Sequence, residues 1–172
     1  LHTTENYNGQ LTNQVGIHAF WESRLPELFA DEEYDYFVGK ANYIEDPNAY
    51  YWQVVQDSHS YLDSVLLIEQ DLRRIFPSDQ QFCYEERLGR TIRTQCTAFA
   101  KAYHERLDGQ VEARYRAAIL SVGDAWYSAW IRAGQPDLDN FGALTLTADE
   151  IKRDKARERA FQKGNIKGRA HE

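Results

Sequence analysis

Three histidines in this sequence are each followed, four residues later, by a carboxylate. The three pairs are His18 with Glu22, His59 with Asp63, and His104 with Asp108. On a helix this spacing places both side chains on one face, where an imidazole and a carboxylate can bind the same metal ion. The spacing is equally typical of a histidine that pairs with a neighbouring carboxylate, so the surroundings of each pair decide its interpretation.

The first pair has a third candidate ligand nearby in the sequence. His2 precedes His18 across a loop that contains Gly9 and is long enough to fold back. Two imidazoles and one carboxylate form a ligand set that catalytic zinc uses, and three protein ligands leave one coordination position for water or a substrate oxygen. His2, His18 and Glu22 are therefore candidate ligands of one zinc ion, and from the residues alone an ordinary pairing of His18 with Glu22 stays open. The other two pairs are interpreted as polar boundary histidines, each beside a carboxylate with which it can pair.

The ligand pair lies on a short predicted helix near the start of the chain. Turn-forming residues fill 6–10, a helix is expected from Gly16 to Arg24, and Pro26 follows as a stop. We interpret the chain as a single helical domain of 172 residues. In this interpretation residues 1–27 hold a zinc half-site and residues 46–134 form a helical bundle.

Helical periodicity dominates the rest of the chain. Apolar residues recur every three to four positions over the segments 46–77, 88–107 and 111–134. Asp46 is typical of a helix start, whereas Pro77 and Gly134 are typical of helix ends. No segment alternates polar and apolar residues as a half-buried strand would. Because short connections favour antiparallel neighbours, we expect an all-α fold, a bundle of long antiparallel helices preceded by the ligand-bearing loop and the short helix.

The charge is unevenly distributed along the chain. The sequence has 20 Lys and Arg against 27 Asp and Glu, a net charge of -7, yet residues 152–172 carry +5 and residues 1–151 carry -12. An acidic body argues against a general nucleic-acid binder. Thr147 and Glu150 have the spacing of a capping box, so 147–172 is expected to be a basic helix and tail. No apolar run approaches 18 residues, so no stable membrane insertion is expected.

The two ligand-bearing segments resemble a known family. The stretches LHTTEN at 1–6 and GIHAFWESRLPE at 16–27 resemble the zinc-dependent phospholipase C and single-strand-specific nuclease superfamily. Its members are all-α, usually secreted, and hydrolyse phosphate esters with three zinc ions. Their signature contains Pro-Leu-His, then a Gly-containing loop, then His-x-x-x-Asp or His-x-x-x-Glu. His2 resembles the histidine of the first motif, and His18 and Glu22 resemble the last pair.

The resemblance implies a function for the protein to which this chain belongs. It would be a zinc-dependent phosphoesterase whose remaining ligands lie upstream of Leu1, with one zinc in this chain and three in the full-length protein. The isolated chain would then bind at most one zinc and show no appreciable hydrolase activity. Glu22 resembles the phospholipase branch, whereas Trp21 and the segment 25–27 resemble the nuclease branch, so both phospholipid and nucleic acid stay open as substrates. The alternative is a non-catalytic helical interaction module that kept the fold.

The sequence contains two cysteines, Cys83 and Cys96. They are too few for a disulfide scaffold and lack the CxxC spacing of a thiolate metal site. Taken alone, they suit either a disulfide in a secreted chain or buried thiols in a cytosolic one. The secreted or periplasmic location that the resemblance implies would allow them to form a disulfide that closes a short loop, and the sequence leaves open whether they pair.

Overall fold

The computed structural model describes residues 1–87, 89–140 and 145–164. The chain divides into two compact units, Leu1–Gly134 and Gln135–Glu172. The elements of the first unit, in chain order, are α1 (Ile17–Ala19), a π-helical turn (Phe20–Arg24), α2 (Leu25–Glu33), α3 (Pro47–His59), α4 (Leu62–Ile75), a 3₁₀ turn (Ser78–Gln80), β1 (Phe82–Arg87), β2 (Arg90–Gln95), α5 (Thr97–Leu107) and α6 (Gln110–Arg132).

The prediction of an all-α bundle of long antiparallel helices is wrong. β1 and β2 form an antiparallel hairpin, with Phe82 opposite Gln95 and Arg87 opposite Arg90. This hairpin occupies the first part of the segment 88–107 that was predicted to be one helix; Leu88 itself lies outside the described residues. Apart from α6, with 23 residues, the helices of this unit are short. The fold is therefore mixed, with mostly short helices and a two-stranded antiparallel sheet.

The strand propensities of its residues explain why the hairpin segment is extended. The hairpin is rich in aromatic and β-branched residues, which favour strands. These residues are Phe82, Tyr84, Thr91, Ile92 and Thr94. Gly89 adopts a φ of +73° at the connection between the strands, a conformation that suits a tight hairpin. The helical spacing of Ile92, Cys96 and Phe99 was therefore misleading, because only the last of these lies within a helix.

The two cysteines form a disulfide, one of the two states that the sequence left open. Cys83 on β1 is bonded to Cys96, which caps α5, and the two Cα atoms are 4.9 Å apart. The Cys96 N–H also donates to the Gln81 carbonyl at 3.1 Å. The bond and this hydrogen bond close the open end of the hairpin where it meets α5.

The predicted long helix over 46–77 is two helices, α3 and α4. Asp46 caps α3 as expected, since its carboxylate accepts from the backbone N–H groups of Asn48 and Ala49. The helix then ends at His59, where serine hydroxyls bond back to backbone carbonyls. Ser60 Oγ donates to the Asp57 carbonyl at 2.7 Å. Such bonds offer the backbone an alternative to continued helix, and the sequence interpretation did not weigh them.

The first helix passes through Pro26 instead of ending before it. Proline lacks an N–H and clashes with the carbonyl four residues earlier, which here belongs to Glu22. The chain accommodates this by widening into the π-helical turn Phe20–Arg24, which α2 continues. The Tyr115 hydroxyl of α6 donates to the Glu22 carbonyl at 3.5 Å.

The core lies between this first helix and helices α4, α5 and α6. Its buried members are Ile17, Phe20, Leu25, Phe29, Val65, Leu72, Phe99, Ala100, Tyr103, Leu107 and Val111. The Phe20 ring stacks against both Phe99 and Tyr103, at centroid distances of 5.7 and 4.8 Å. Phe20 lies between His18 and Glu22 in sequence, so the core fixes the helix that carries both.

The second unit contains a 3₁₀ turn (Leu138–Asn140) and α7 (Ala148–Gln162). The predicted capping box is confirmed: Thr147 Oγ1 accepts from the Glu150 backbone N–H, and the Glu150 carboxylate accepts from the Thr147 backbone N–H. The last part of the predicted basic tail, 165–172, lies outside the described residues. Within the described part of the chain, no helix is long and apolar enough to cross a membrane.

Candidate metal centre

The structure brings His2, His18 and Glu22 together. One ligand atom from each, a ring nitrogen or a carboxylate oxygen, lies within 4.8 Å of the other two. The two imidazole rings meet edge to face with centroids 4.5 Å apart. His18 Nε2 also contacts Glu22 Oε2 directly. Within 1–87, 89–140 and 145–164, no other group of three His, Cys, Asp or Glu residues comes together in this way.

The geometry of the three side chains fits a zinc ion. Tetrahedral zinc with bonds of about 2.0–2.1 Å separates its ligand atoms by about 3.3 Å. That value lies between the direct His18–Glu22 contact and the 4.8 Å limit of the cluster. His2 and Glu22 are exposed, so their side chains can adjust, whereas His18 is half-buried and fixed on α1. Two nitrogens and one oxygen suit zinc chemically.

Residues 1–16, which carry His2, form a loop that is folded back by its own hydrogen bonds. The Gly9 carbonyl accepts from the Gln14 N–H at 2.8 Å, and the Asn8 side chain accepts from the Gly16 N–H at 3.1 Å. Gly9 has a φ of +74°, and a Cβ there would overlap the Gln14 backbone. Glycine is therefore required at this position.

Gln14 anchors this loop to α4. Its side chain is 2% exposed and donates to the Leu66 carbonyl at 2.8 Å and to the Glu69 carboxylate at 2.6 Å. Glu69 is itself buried and pairs with Arg73, so its charge is compensated. Removing the partner of a buried carboxylate lowers the free energy of unfolding by about 3–5 kcal/mol, because the charge stays buried and unpaired. Both the Gln14 amide and the Glu69 carboxylate therefore have partners for their polar groups.

The other two histidine pairs have no comparable cluster among the described residues. His59 Nδ1 lies 2.6 Å from Thr3 Oγ1, which ties the segment next to His2 to the end of α3. His104 pairs with Glu33 at 3.2 Å and stacks on Phe29 with centroids 4.4 Å apart. His104 is half-buried, as interpreted, whereas His59 is exposed, and both contact residues distant in sequence instead of the carboxylates four positions on.

A cavity of about 330 Å³ adjoins the three candidate ligands. Its remaining wall comes from the end of α3, the start of α4 and the first half of α6. Most of this wall is apolar, with Val54, Leu62 and Ala118 as examples. Two polar residues of α6, Gln110 and Arg114, also line it. The sequence analysis missed both, because they lie more than 85 residues from Glu22 and no motif marks them.

Tyr115 links α6 to the ligand-bearing helix. Its hydroxyl donates to the Glu22 carbonyl at 3.5 Å. Partial burial, and then the neighbouring Tyr36 and the Glu22 carboxylate, raise the pKa of Tyr115 above its ordinary value. The phenol therefore stays protonated and remains a donor to the ligand-bearing turn.

Comparisons of the chain with protein-family models, with curated proteins and with solved structures each found no match.

Proposed function

We propose that the protein to which this chain belongs is a zinc-dependent phosphoesterase, and that His2, His18 and Glu22 hold one of its zinc ions. One observation carries the proposal. Three side chains that the sequence pattern marks as zinc ligands converge within 4.8 Å on the wall of one cavity. A half-buried histidine and two adjustable exposed ligands beside a cavity are what a substrate-accessible metal centre requires.

The zinc ion and the residues of the chain would have different roles in the reaction. Bound zinc would supply a Lewis acid that polarises a phosphoryl oxygen. The chain holds His18 and Glu22 on a helix whose orientation is set by Phe20 in the core. The folded loop brings in His2, and the apolar cavity wall accommodates the organic part of an ester while excluding water. The substrate class is a phosphate ester, with phospholipid and nucleic acid as the two forms to test.

The proposal is tested by hydrolysis assays on the protein expressed from its complete coding sequence. With zinc supplied, we expect turnover of at least one of bis(p-nitrophenyl) phosphate, phosphatidylcholine vesicles and single-stranded DNA. His18→Ala and Glu22→Gln should abolish turnover without loss of helical circular dichroism. Glu32→Gln, at an exposed position of α2, is the matched control and should leave turnover unchanged.

Two outcomes would overturn the proposal. The first is turnover that His18→Ala and Glu22→Gln leave intact, which would place the chemistry elsewhere. The second is zinc binding with no turnover of any of the three substrates. That result would favour the alternative of a non-catalytic helical interaction module.

A further inference from the structure

The segment that carries His2 is a tight turn. The Leu1 carbonyl accepts from both the N–H and the hydroxyl of Thr4, at 3.1 and 3.0 Å. His2 and Thr3 are therefore the two central residues of a β-turn. Leu1 packs against the hydrophobic core. Because a closed turn couples its central residues, a contact that fixes Thr3 also restricts where the His2 ring can lie.

Thr3 is bonded to the last residue of α3. Its Oγ1 lies 2.6 Å from Nδ1 of His59. A hydroxyl can donate to this nitrogen or accept from it, so the bond forms with either tautomer of the neutral imidazole. Among the described residues, it is the one hydrogen bond that joins residues 1–8 to the chain beyond residue 16. The Gln14 anchor holds the other end of the loop and leaves the position of the turn to this bond.

Helix α3 is a fixed support for the turn. Near its start, the Tyr50 hydroxyl donates to the Asp124 carboxylate of α6 at 2.7 Å. Asp124 is 3% exposed and also accepts from the Asn42 N–H at 2.7 Å, so its carboxylate has two partners. At the other end of α3, His59 lies on the wall of the cavity that His2 also lines. A buried contact on α6 therefore holds the helix whose last residue bonds to the turn.

We propose that His59 is a positioning residue for the candidate zinc ligand His2. Its bond to Thr3 holds the turn so that the His2 ring stays against the ring of His18, with centroids 4.5 Å apart. An ion then meets a ligand that is already in place, and none of its binding free energy is lost in ordering the turn. The effect on zinc rests on the proposed function, whereas the position of His2 can be measured in the metal-free chain.

The first measurement uses the full 172-residue chain freed of metal by a chelator. The rings of His2 and His18 are close enough for a nuclear Overhauser effect between their ring protons. We expect this signal in the unsubstituted chain and its loss in both His59→Ala and Thr3→Val, because each change removes the hydrogen bond. Both residues are exposed, so neither change reaches the core. Retention of the signal at full intensity in both variants would overturn the proposal.

Matched controls make the same changes at exposed positions away from this bond. Gln56→Ala lies one turn earlier on α3, and Thr97→Val lies at the start of α5. Both should retain the signal between the two rings. Loss of the signal in the controls as well would mean a general response to substitution and would overturn the assignment to His59.

Conservative variants separate the hydrogen bond from a role in the stability of α3. His59→Asn keeps a polar atom close to the position of Nδ1, and Thr3→Ser keeps the hydroxyl, so both should retain the signal. Alanine favours helix more than asparagine does. A role confined to helix stability would therefore make His59→Asn the more damaging change, the opposite of the expected order.

Zinc titration of the same variants is the second measurement. His59→Ala should bind zinc about tenfold more weakly, as residues that orient a metal ligand typically do when removed, and His59→Asn should bind close to normally. Equal affinity in His59→Ala and the unsubstituted chain would overturn the positioning role and leave the proposed function standing. Failure of the unsubstituted chain to bind zinc would contradict the proposed function, and the ring–ring signal would still decide the role of His59.

Discussion

His18 and His104 have the same spacing to a downstream carboxylate but different surroundings. The His18 ring meets the ring of His2 at 4.5 Å and contacts Glu22. The His104 ring is stacked on Phe29 and paired with Glu33 of α2. Both ring nitrogens of His104 already have partners, Glu33 at 3.2 Å and the Tyr34 hydroxyl at 3.5 Å. The loop that carries His2 therefore distinguishes the surroundings of His18 from those of His104.

Gln14 is expected to act on zinc binding without touching the metal. Gln14→Ala removes the anchor of the loop and leaves the buried Glu69 with one fewer hydrogen bond. We expect the free energy of unfolding to fall by about 1–3 kcal/mol, typical of a lost hydrogen bond to a buried charge. Zinc affinity should fall as well, because His2 is held less firmly. Urea unfolding and zinc titration measure the two effects.

Gln56→Ala is the control for this prediction, since Gln56 is exposed on α3. It should leave both quantities unchanged. If Gln14→Ala behaves like Gln56→Ala, then the anchor does not hold the loop that carries His2.

The convergence of His2, His18 and Glu22 could be predicted from the sequence, because both the helical spacing and the loop are local features. The residues of α6 that line the cavity could not be predicted. Gln110 and Arg114 reach it through the packing of α6 against the first helix. Long-range packing of this kind leaves no pattern in a single sequence.

At the scale of elements, the hairpin supports the ligand-bearing helix through Arg24. This residue is 5% exposed, lies in the π-helical turn next to Glu22, and donates to the Gln95 carbonyl at 3.2 Å. It also pairs with Glu85 of β1. The hairpin that the sequence analysis missed therefore helps to position the helix that it identified. The miss had a physical cause, since β-branched and aromatic residues can follow a helical spacing by coincidence over so short a segment.

Glu85→Gln is expected to destabilise the fold in a pH-dependent way. Desolvation acts to raise the pKa of Glu85, but the hydrogen bond and charge of Arg24, followed by those of Arg87, outweigh it and lower the pKa below its ordinary value. A carboxyl with a lowered pKa stabilises the fold above its unfolded-state pKa of about 4.3, and this contribution is lost as the pH falls through the folded-state value.

The wild type should therefore exceed Glu85→Gln in unfolding free energy by about 1 kcal/mol at pH 7. The difference should shrink in urea titrations below about pH 4. A difference that stays constant from pH 7 to pH 3 would contradict the ion pair. Glu32→Gln, on the exposed surface of α2, should match the wild type at both pH values.

The disulfide is expected to hold the hairpin to α5. Cys83 and Cys96 are separated by 13 positions, and a closed loop of that size stabilises the folded state by about 3 kcal/mol in the chain-entropy model. The double variant Cys83→Ser/Cys96→Ser should unfold at correspondingly lower urea concentration. A reductant should destabilise the wild type to a similar extent and leave the double variant unaffected. Insensitivity of the wild type to a reductant would count against the bond.

At the scale of the whole molecule, the core and the candidate metal centre both belong to the unit Leu1–Gly134. The acidic balance of residues 1–151 makes a general nucleic-acid-binding surface there unfavourable. Arg114 is a local exception, because it brings to this cavity, beside the candidate metal ligands, a positive charge without a salt-bridge partner among the described residues.

The central claim is that His2, His18 and Glu22 form a zinc site, and calorimetric titration of the metal-free chain with zinc tests it most directly. We predict one zinc per chain, lost in His18→Ala and in Glu22→Ala and retained in Glu32→Gln. Equal zinc uptake by the two ligand variants would contradict the claim. So would a site that disappears in His59→Ala or His104→Ala and survives in His18→Ala.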